Sequence, residues 1–148
     1  MIAPVVRDDL PEIRELIAFS IRDSVAESED DARFLISDVD ATLEKWEHTP
    51  DHYIHLKHIS REAISGVILV KDFWNLSVLF VDPSSQGVGI GKALVSEILE
   101  RCRSRSPRQA VLVNSSSVAV GFYRRLGFQQ LGPGVERPGG CVPFGYQF

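Results

Sequence analysis

Between residues 74 and 113 the hydrophobic period of the chain changes twice, and this change does most to limit the folds open to it. An apolar run at 74–81 leads through Asp82-Pro83 to a turn in which Gly87, Gly89 and Gly91 alternate with Val88 and Ile90. Ala93, Leu94, Val95, Ile98, Leu99 and Cys102 then recur at helical spacing. That helix runs into an arginine-rich stretch at 101–108, where cations suit the negative end of the helix dipole. Residues 109–113 form a second short apolar strand. A βαβ unit over 74–113 is the expectation, and it sets the class as mixed α/β.

The rest of the chain fits around that unit. Asp8-Asp9, with Glu12 three residues after Asp9, reads as an N-cap and capping box, with Pro11 tolerated in the first turn. Leu10, Ile13, Leu16, Ile17 and Ile21 then mark a helix with one buried face. The acidic stretch 24–31 reads as a loop or a short irregular turn, and Phe34, Leu35, Val39, Leu43 and Trp46 mark a second helix that ends before Thr49-Pro50. Runs at 53–59, 64–71 and 74–81, joined by short polar links, predict an antiparallel meander. After residue 113 the sequence predicts a helix over 118–126 closed by Gly127, a strand beginning at 128–131, a loop, and a last strand over 142–148. The expected fold is one domain over 1–148: a mostly antiparallel mixed sheet of about six or seven strands with helices on both faces.

At 148 residues, 44% hydrophobic and 24% charged, the chain has enough apolar material for one core. The N-terminus lacks a basic, apolar leader pattern and no run is long enough to cross a bilayer, so the expectation is a cytoplasmic protein without a membrane partner. Cys102 and Cys141 lack metal-type spacing, and His55 and His58 would point to opposite faces of one strand, so no metal site is expected. The net charge of -4 conceals a division: the first fifty residues hold 13 acids and 5 bases, the remainder 7 acids and 11 bases. A basic part suits an anionic ligand and an acidic part a cationic one. The arginines form no stripe interleaved with aromatics, which argues against a nucleic-acid partner.

A glycine-rich turn between a buried strand and a helix presents backbone N–H groups at the positive end of a helix dipole, a site for phosphate or pyrophosphate. Two common forms of this device fail on their required residues. A P-loop needs Lys and then Ser or Thr, but Gly91-Lys92 is followed by Ala93. A dinucleotide turn needs GxGxxG, but counting from Gly87 and Gly89 the last position is Lys92.

The stretch LFVDPSSQGVGIGKALV instead resembles the acyl-CoA loop of the GCN5-related N-acetyltransferases, (Q/R)xxGx(G/A), with Gln86, Gly89 and Gly91 in the motif positions. A second stretch, VLVNSSSVAVGFYRRLGF, resembles the next strand and helix of the same family, with Asn114 at the strand end and a terminal FYxxxGF. The resemblance is clear over 64–128, weaker in the first helix, and silent over 24–60.

In that family the strands flanking the loop and its helix splay apart and the pantetheine arm lies between them like an added strand. The resemblance therefore implies acetyl-CoA as co-substrate. Backbone groups of Leu79, Phe80 and Val81 would meet pantetheine, and N–H groups of Gln86, Gly87, Val88, Gly89, Ile90 and Gly91 the pyrophosphate. Lys92 would add charge near a phosphate, and Asn114 would face the pantetheine or acetyl region. Tyr123 matches the tyrosine that protonates the departing thiolate; on its own it equally fits an amphipathic aromatic packed on the core. The implied reaction is direct acetyl transfer to an amine, cationic by the acidity of residues 22–50, in a monomer or homodimer.

One departure stands out. Some members carry a glutamate early on the strand before the loop as general base, whereas this chain has Trp74-Asn75-Leu76-Ser77. The base is then a water chain or an acid from elsewhere, with Glu27, Glu29, Asp30 or Asp31 possible only if that loop folds over the site. A non-catalytic acyl-CoA-binding module of the same fold is the alternative.

Overall fold

A computed structural model describes residues 1–148. Its strands are β1 (Ile2–Pro4), β2 (Tyr53–Ser60), β3 (Ala63–Lys71), β4 (Asn75–Val81), β5 (Ala110–Ser115), β6 (Gln129–Gln130) and β7 (Val142–Gln147). Its helices are α1 (Leu10–Ser20), α2 (Glu29–His48), α3 (Ile90–Cys102) and α4 (Val120–Arg125). The seven strands form one sheet in the order β1-β2-β3-β4-β5-β7-β6, antiparallel everywhere except between β4 and β5. The expected meander is β2-β3-β4, and β4-α3-β5 is the expected parallel crossover. No helix is long and apolar enough to cross a membrane.

The sheet separates two apolar layers. α3 and α4 pack on one face through Leu94, Val95, Ile98, Leu99 and Tyr123 against Ile68, Val70, Val111 and Phe144. α1 and α2 pack on the other through Leu10, Ile13, Ile17, Leu43 and Trp46 against Val67, Leu69 and Val78. β3 feeds both layers, and this is why its seven interior positions are all buried. A strand covered on both faces has no use for the polar alternation of a half-exposed one.

Local details correct three expectations. Asp9 does not cap α1 with its side chain: a 3-10 turn over Arg7–Asp9 precedes the helix, and the Asp9 carboxylate accepts from the Val6 N–H at 2.8 Å. The same carboxylate pairs with Lys57 at 2.6 Å, while Glu12, the expected partner in a capping box, accepts from the Ile64 N–H at 2.8 Å. Both acids thus tie α1 to the sheet rather than to itself. The connection over 24–31 is shorter than expected: its irregular turn is a π-helical one at Ile21–Val25 that continues α1, and α2 already begins at Glu29, with Ser28 accepting from the Asp31 N–H at 3.1 Å. Finally, the helix expected over 118–126 opens as a 3-10 turn at Ser117–Ala119.

The four histidines do not converge. His52 lies 3.5 Å from Asp72, His48 bonds the Glu44 carbonyl and His58 bonds the Ser65 hydroxyl. No cluster of three or more His, Cys, Asp or Glu side chains is placed to hold a metal. His55 is buried beneath α2 with its ring edge-on to Trp46 at 4.5 Å, and neither ring nitrogen has a hydrogen-bond partner. Burial pushes its pKa down to about 3, against the pull of the Asp9 carboxylate.

The unfolded chain takes up a proton at this residue below about pH 6.5, whereas the folded chain refuses it until far lower. Stability from neutral His55 is therefore complete above that pH and is lost as pH falls toward 3. Urea unfolding at pH 7, 6, 5 and 4 should show wild-type stability falling more steeply than that of His55→Leu, by up to about 1.4 kcal/mol per pH unit. Parallel profiles for the two proteins would contradict this.

Candidate active site

The two parallel strands at the centre of the sheet stay together for only two residue pairs. Asn75 faces Leu112 and Leu76 faces Val113, after which no pairing links β4 to β5. Both strands continue: β4 remains paired to β3 as far as Val81, and β5 to β7 as far as Ser115. A wedge therefore opens between them, and one edge of β4 from Ser77 onward faces it. A bulge sits at the opening, since Leu69 pairs with Val78 and Val70 with Leu76, leaving Ser77 as an extra residue. Bulges re-aim the side chains that follow them. Leu76 and Val78, two apart, consequently enter opposite layers, and Leu79 and Val81 turn toward the α3 side.

The loop after β4 is built to deliver a bare helix end to the mouth of this wedge. Asp82 accepts from the Ser84 N–H at 2.9 Å and its hydroxyl at 2.8 Å, shaping a 3-10 turn at Pro83–Ser85. Gln86 folds back and donates its amide N–H to the Val81 carbonyl at 3.2 Å. Gly87 and Gly89 adopt φ of 83° and 86°, a left-handed backbone that glycine takes at least cost. Gly89 is the N-cap of α3, so no side chain can cap the helix, and the first internal bond runs from the Ala93 N–H to the Gly89 carbonyl. The N–H groups of Ile90, Gly91 and Lys92 are left without helical partners at the positive end of a 13-residue helix.

Gly91 has a different reason to be glycine. A Cβ there would lie 3.2 Å from the Phe122 ring, so a bare backbone lets α3 and α4 meet. Gly66 does the same beneath the helix start, where a Cβ would lie 3.0 Å from Ile90 and 3.1 Å from Leu94.

Wedge and loop together border a cavity of about 750 Å³. Of the residues expected at a cofactor site, Leu79, Phe80, Val81, Gln86, Gly87, Gly89, Ile90, Gly91, Lys92, Asn114 and Tyr123 all line it. Val88 does not; its side chain is 74% exposed. Asn114 lies within β5, opposite Pro143, one residue further inside the strand than expected. Tyr123 is buried on α4 among Phe122, Phe128 and Phe144, at ring distances of 5.2, 5.3 and 6.3 Å. Burial alone raises its pKa, and no hydrogen bond from the protein offsets it, which keeps the phenol protonated.

The acids of the 24–31 stretch, conditional candidates for the base, lie away from the cavity. Glu27, Glu29, Asp30 and Asp31 do not line the cavity; Glu29 pairs with Arg22 at 2.9 Å and Asp30 with Arg33 at 2.8 Å. Ser24, Val25, Leu35, Asp38 and Val39 line it instead, together with Pro138, Gly139 and Gly140 from the loop before β7. Arg125 joins Lys92 as a second cation in the wall. Its guanidinium folds back over Gly121, one helical turn earlier, where an added Cβ would lie 3.2 Å away.

Comparison with known proteins decides the family. The family model described as "Acetyltransferase (GNAT) domain" matches residues 23–142. The chain belongs to the GNAT acetyltransferase family. Among curated GNAT-type relatives, glucosamine 6-phosphate N-acetyltransferase of Trypanosoma brucei brucei is 43% identical over 49 residues, 33% of this chain and 33% of that protein. Peptidyl-lysine N-acetyltransferase YjaB of Escherichia coli K12 is 37% identical over 59 residues, covering 39% of this chain and 37% of that protein. The match thus spans about a third of the length of each of these relatives.

The GNAT fold extends over the whole chain. A GCN5-related N-acetyltransferase structure from Rhodopseudomonas palustris superposes with a TM-score of 0.86 at 16% identity, covering 100% of this chain and 95% of that one. The PaiA N-acetyltransferase of Thermoplasma acidophilum, solved with coenzyme A, gives 0.78 at 16% identity over 100% and 98% of the two chains.

The close approach at Gly91 predicts that Gly91→Ala lowers the unfolding free energy by about 1–3 kcal/mol, as overpacking does elsewhere. Trimming the opposing ring with Phe122→Leu should recover part of that loss in the double variant. Denaturant titration of the four proteins of the cycle measures it, and strictly additive effects would contradict the contact.

Proposed function

We propose that the chain moves the acetyl group of acetyl-CoA directly to a primary amine of a small molecule or protein. The observation that carries this reading is the free edge of β4 leading straight into an uncapped helix N-terminus. The first is an acceptor for an extended amide-bearing arm, which can bond to strand backbone as an added strand does. The second is an anion site at the distance one loop provides. Pantetheine joined to a pyrophosphate has that order of groups. In this reading Leu79, Phe80 and Val81 hold the arm, and the N–H groups from Gln86 to Lys92 hold the pyrophosphate. The Lys92 and Arg125 charges lie in the same cavity wall, and Asn114 lies across the wedge.

Amide formation needs a neutral amine, a donor for the carbonyl oxygen as it gains charge, and a proton for the departing sulfur. A backbone N–H near Val81 is the oxygen donor. The amine nitrogen bonds the acetyl carbon as the carbon–sulfur bond breaks, the Tyr123 phenol gives its proton to the thiolate, and the proton lost by the amine restores the phenol. A phenol held protonated by burial and free of internal partners suits that role. No carboxylate stands at Asn75, Leu76 or Ser77, and in this reading the proton of the amine leaves through a water chain. This same lack favours the second reading, a non-catalytic acyl-CoA-binding module.

Acetyl-CoA incubated with a panel of diamines, aminoglycosides and lysine peptides, with free thiol followed by a chromogenic disulfide, separates the two. Turnover of at least one amine is expected; tight CoA binding without turnover of any would leave the module. Tyr123→Phe should reduce turnover by about a hundredfold with CoA affinity nearly unchanged. Unaltered turnover would remove Tyr123 as the acid.

A further inference from the structure

The cavity spans both layers of the molecule through the wedge. One wall comes from α3 and α4 and carries the cations Lys92 and Arg125; the opposite wall comes from the end of α1, the π-helical turn and α2. The acceptor-side wall is apolar apart from two serines and one charge: Ile21, Val25, Leu35 and Val39 line it together with Asp38, which is exposed on α2. Asp38 is the only acid in the lining.

Six of the thirteen acids of the first fifty residues are engaged elsewhere. Asp9 holds Lys57, Glu12 the Ile64 N–H, Glu29 Arg22 and Asp30 Arg33, while Asp40 and Glu47 share Arg14. The Asp38 carboxylate takes part in no ion pair or hydrogen bond of the folded chain; beyond the helix ladder, its backbone carbonyl accepts from the Thr42 hydroxyl at 3.2 Å. A carboxylate left without a protein cation, among apolar side chains at a cavity wall, lacks a positive partner that a ligand can supply.

Resting on the acetyl-transfer reading above, we propose that Asp38 selects the acceptor by pairing with a second positive charge that the acceptor carries. The reacting nitrogen must be neutral to attack, so the group that Asp38 holds is a different one that stays protonated. The apolar residues around it suit the hydrocarbon spacer between the two. The acceptor class is therefore an alkyl diamine or a lysine-like molecule with a second cationic group, and Asp38 is a specificity residue rather than the base.

The test compares 1,4-diaminobutane with butylamine on wild type, Asp38→Asn and Asp38→Glu. Wild type should favour the diamine by about fivefold in kcat/KM, the scale of an exposed ion pair. Asp38→Asn should abolish that preference by raising the KM for the diamine, with kcat, butylamine kinetics and the KM for acetyl-CoA unchanged, and Asp38→Glu should keep much of it. Calorimetric titration of the diamine into CoA-loaded protein supplies a readout independent of turnover. Weaker diamine binding to Asp38→Asn, even where no amine is acetylated, supports the pairing while overturning the catalytic reading. Equal diamine preference and equal diamine affinity in wild type and Asp38→Asn overturn the proposal.

Discussion

Everything at the candidate site depends on two parallel strands that part after two residue pairs. A strand edge in a protein interior carries N–H and C=O groups that need partners, and leaving them bare in an apolar interior is costly. Here β4 remains held on its other edge by β3 and β5 on its other edge by β7, so neither strand can swing back to close the wedge without breaking an intact ladder. The bulge at Ser77 marks where the divergence begins and turns Leu79 and Val81 toward α3. The glycine loop then sets the start of α3 at the open end. Stability of the outer ladders and openness of the centre are two aspects of one arrangement.

The strand, loop and helix start of this arrangement were legible in the sequence because their signals are local. A strand, a turn that needs left-handed glycines, and an apolar helix follow one another within thirty residues, and each leaves its own periodicity. Tyr123 and Asn114 were legible through the second motif. The bulge was not: residues 74–81 read as an ordinary apolar strand, and the extra residue is defined only by the partner strand's register. The same holds for Glu12 and Asp9, whose spacing suggests a helix cap but whose carboxylates are taken up by Ile64 and Lys57, residues roughly fifty positions away. A local rule lost there to a tertiary contact.

The acceptor half is legible only in three dimensions. Acidity over residues 22–50 marked a stretch that lines part of the cavity, but of its acids only Asp38 does so, and net charge does not tell which carboxylates are paired. Glu29 and Asp30 have arginines within a turn or two, while Asp38 has none and lies where α2 meets the cavity. Its neighbours Leu35 and Val39 follow the apolar stripe of α2, so the helix that completes one core also carries the acid to the opening. Membership of the GNAT family covers residues 23–142 and accounts for the fold; in the proposed reading the choice of amine rests on this smaller set of side chains.

The wedge as the seat of the acyl donor can be tested without any knowledge of the acceptor. Amide hydrogen exchange of the full chain, measured with and without CoA, reports each backbone group separately. Slowed exchange confined to the second half of β4 and to residues 86–92, with β2, α1 and the β7 side of β5 unchanged, is the outcome this account predicts. CoA-dependent protection elsewhere in the chain, with β4 and the loop unaffected, would contradict it.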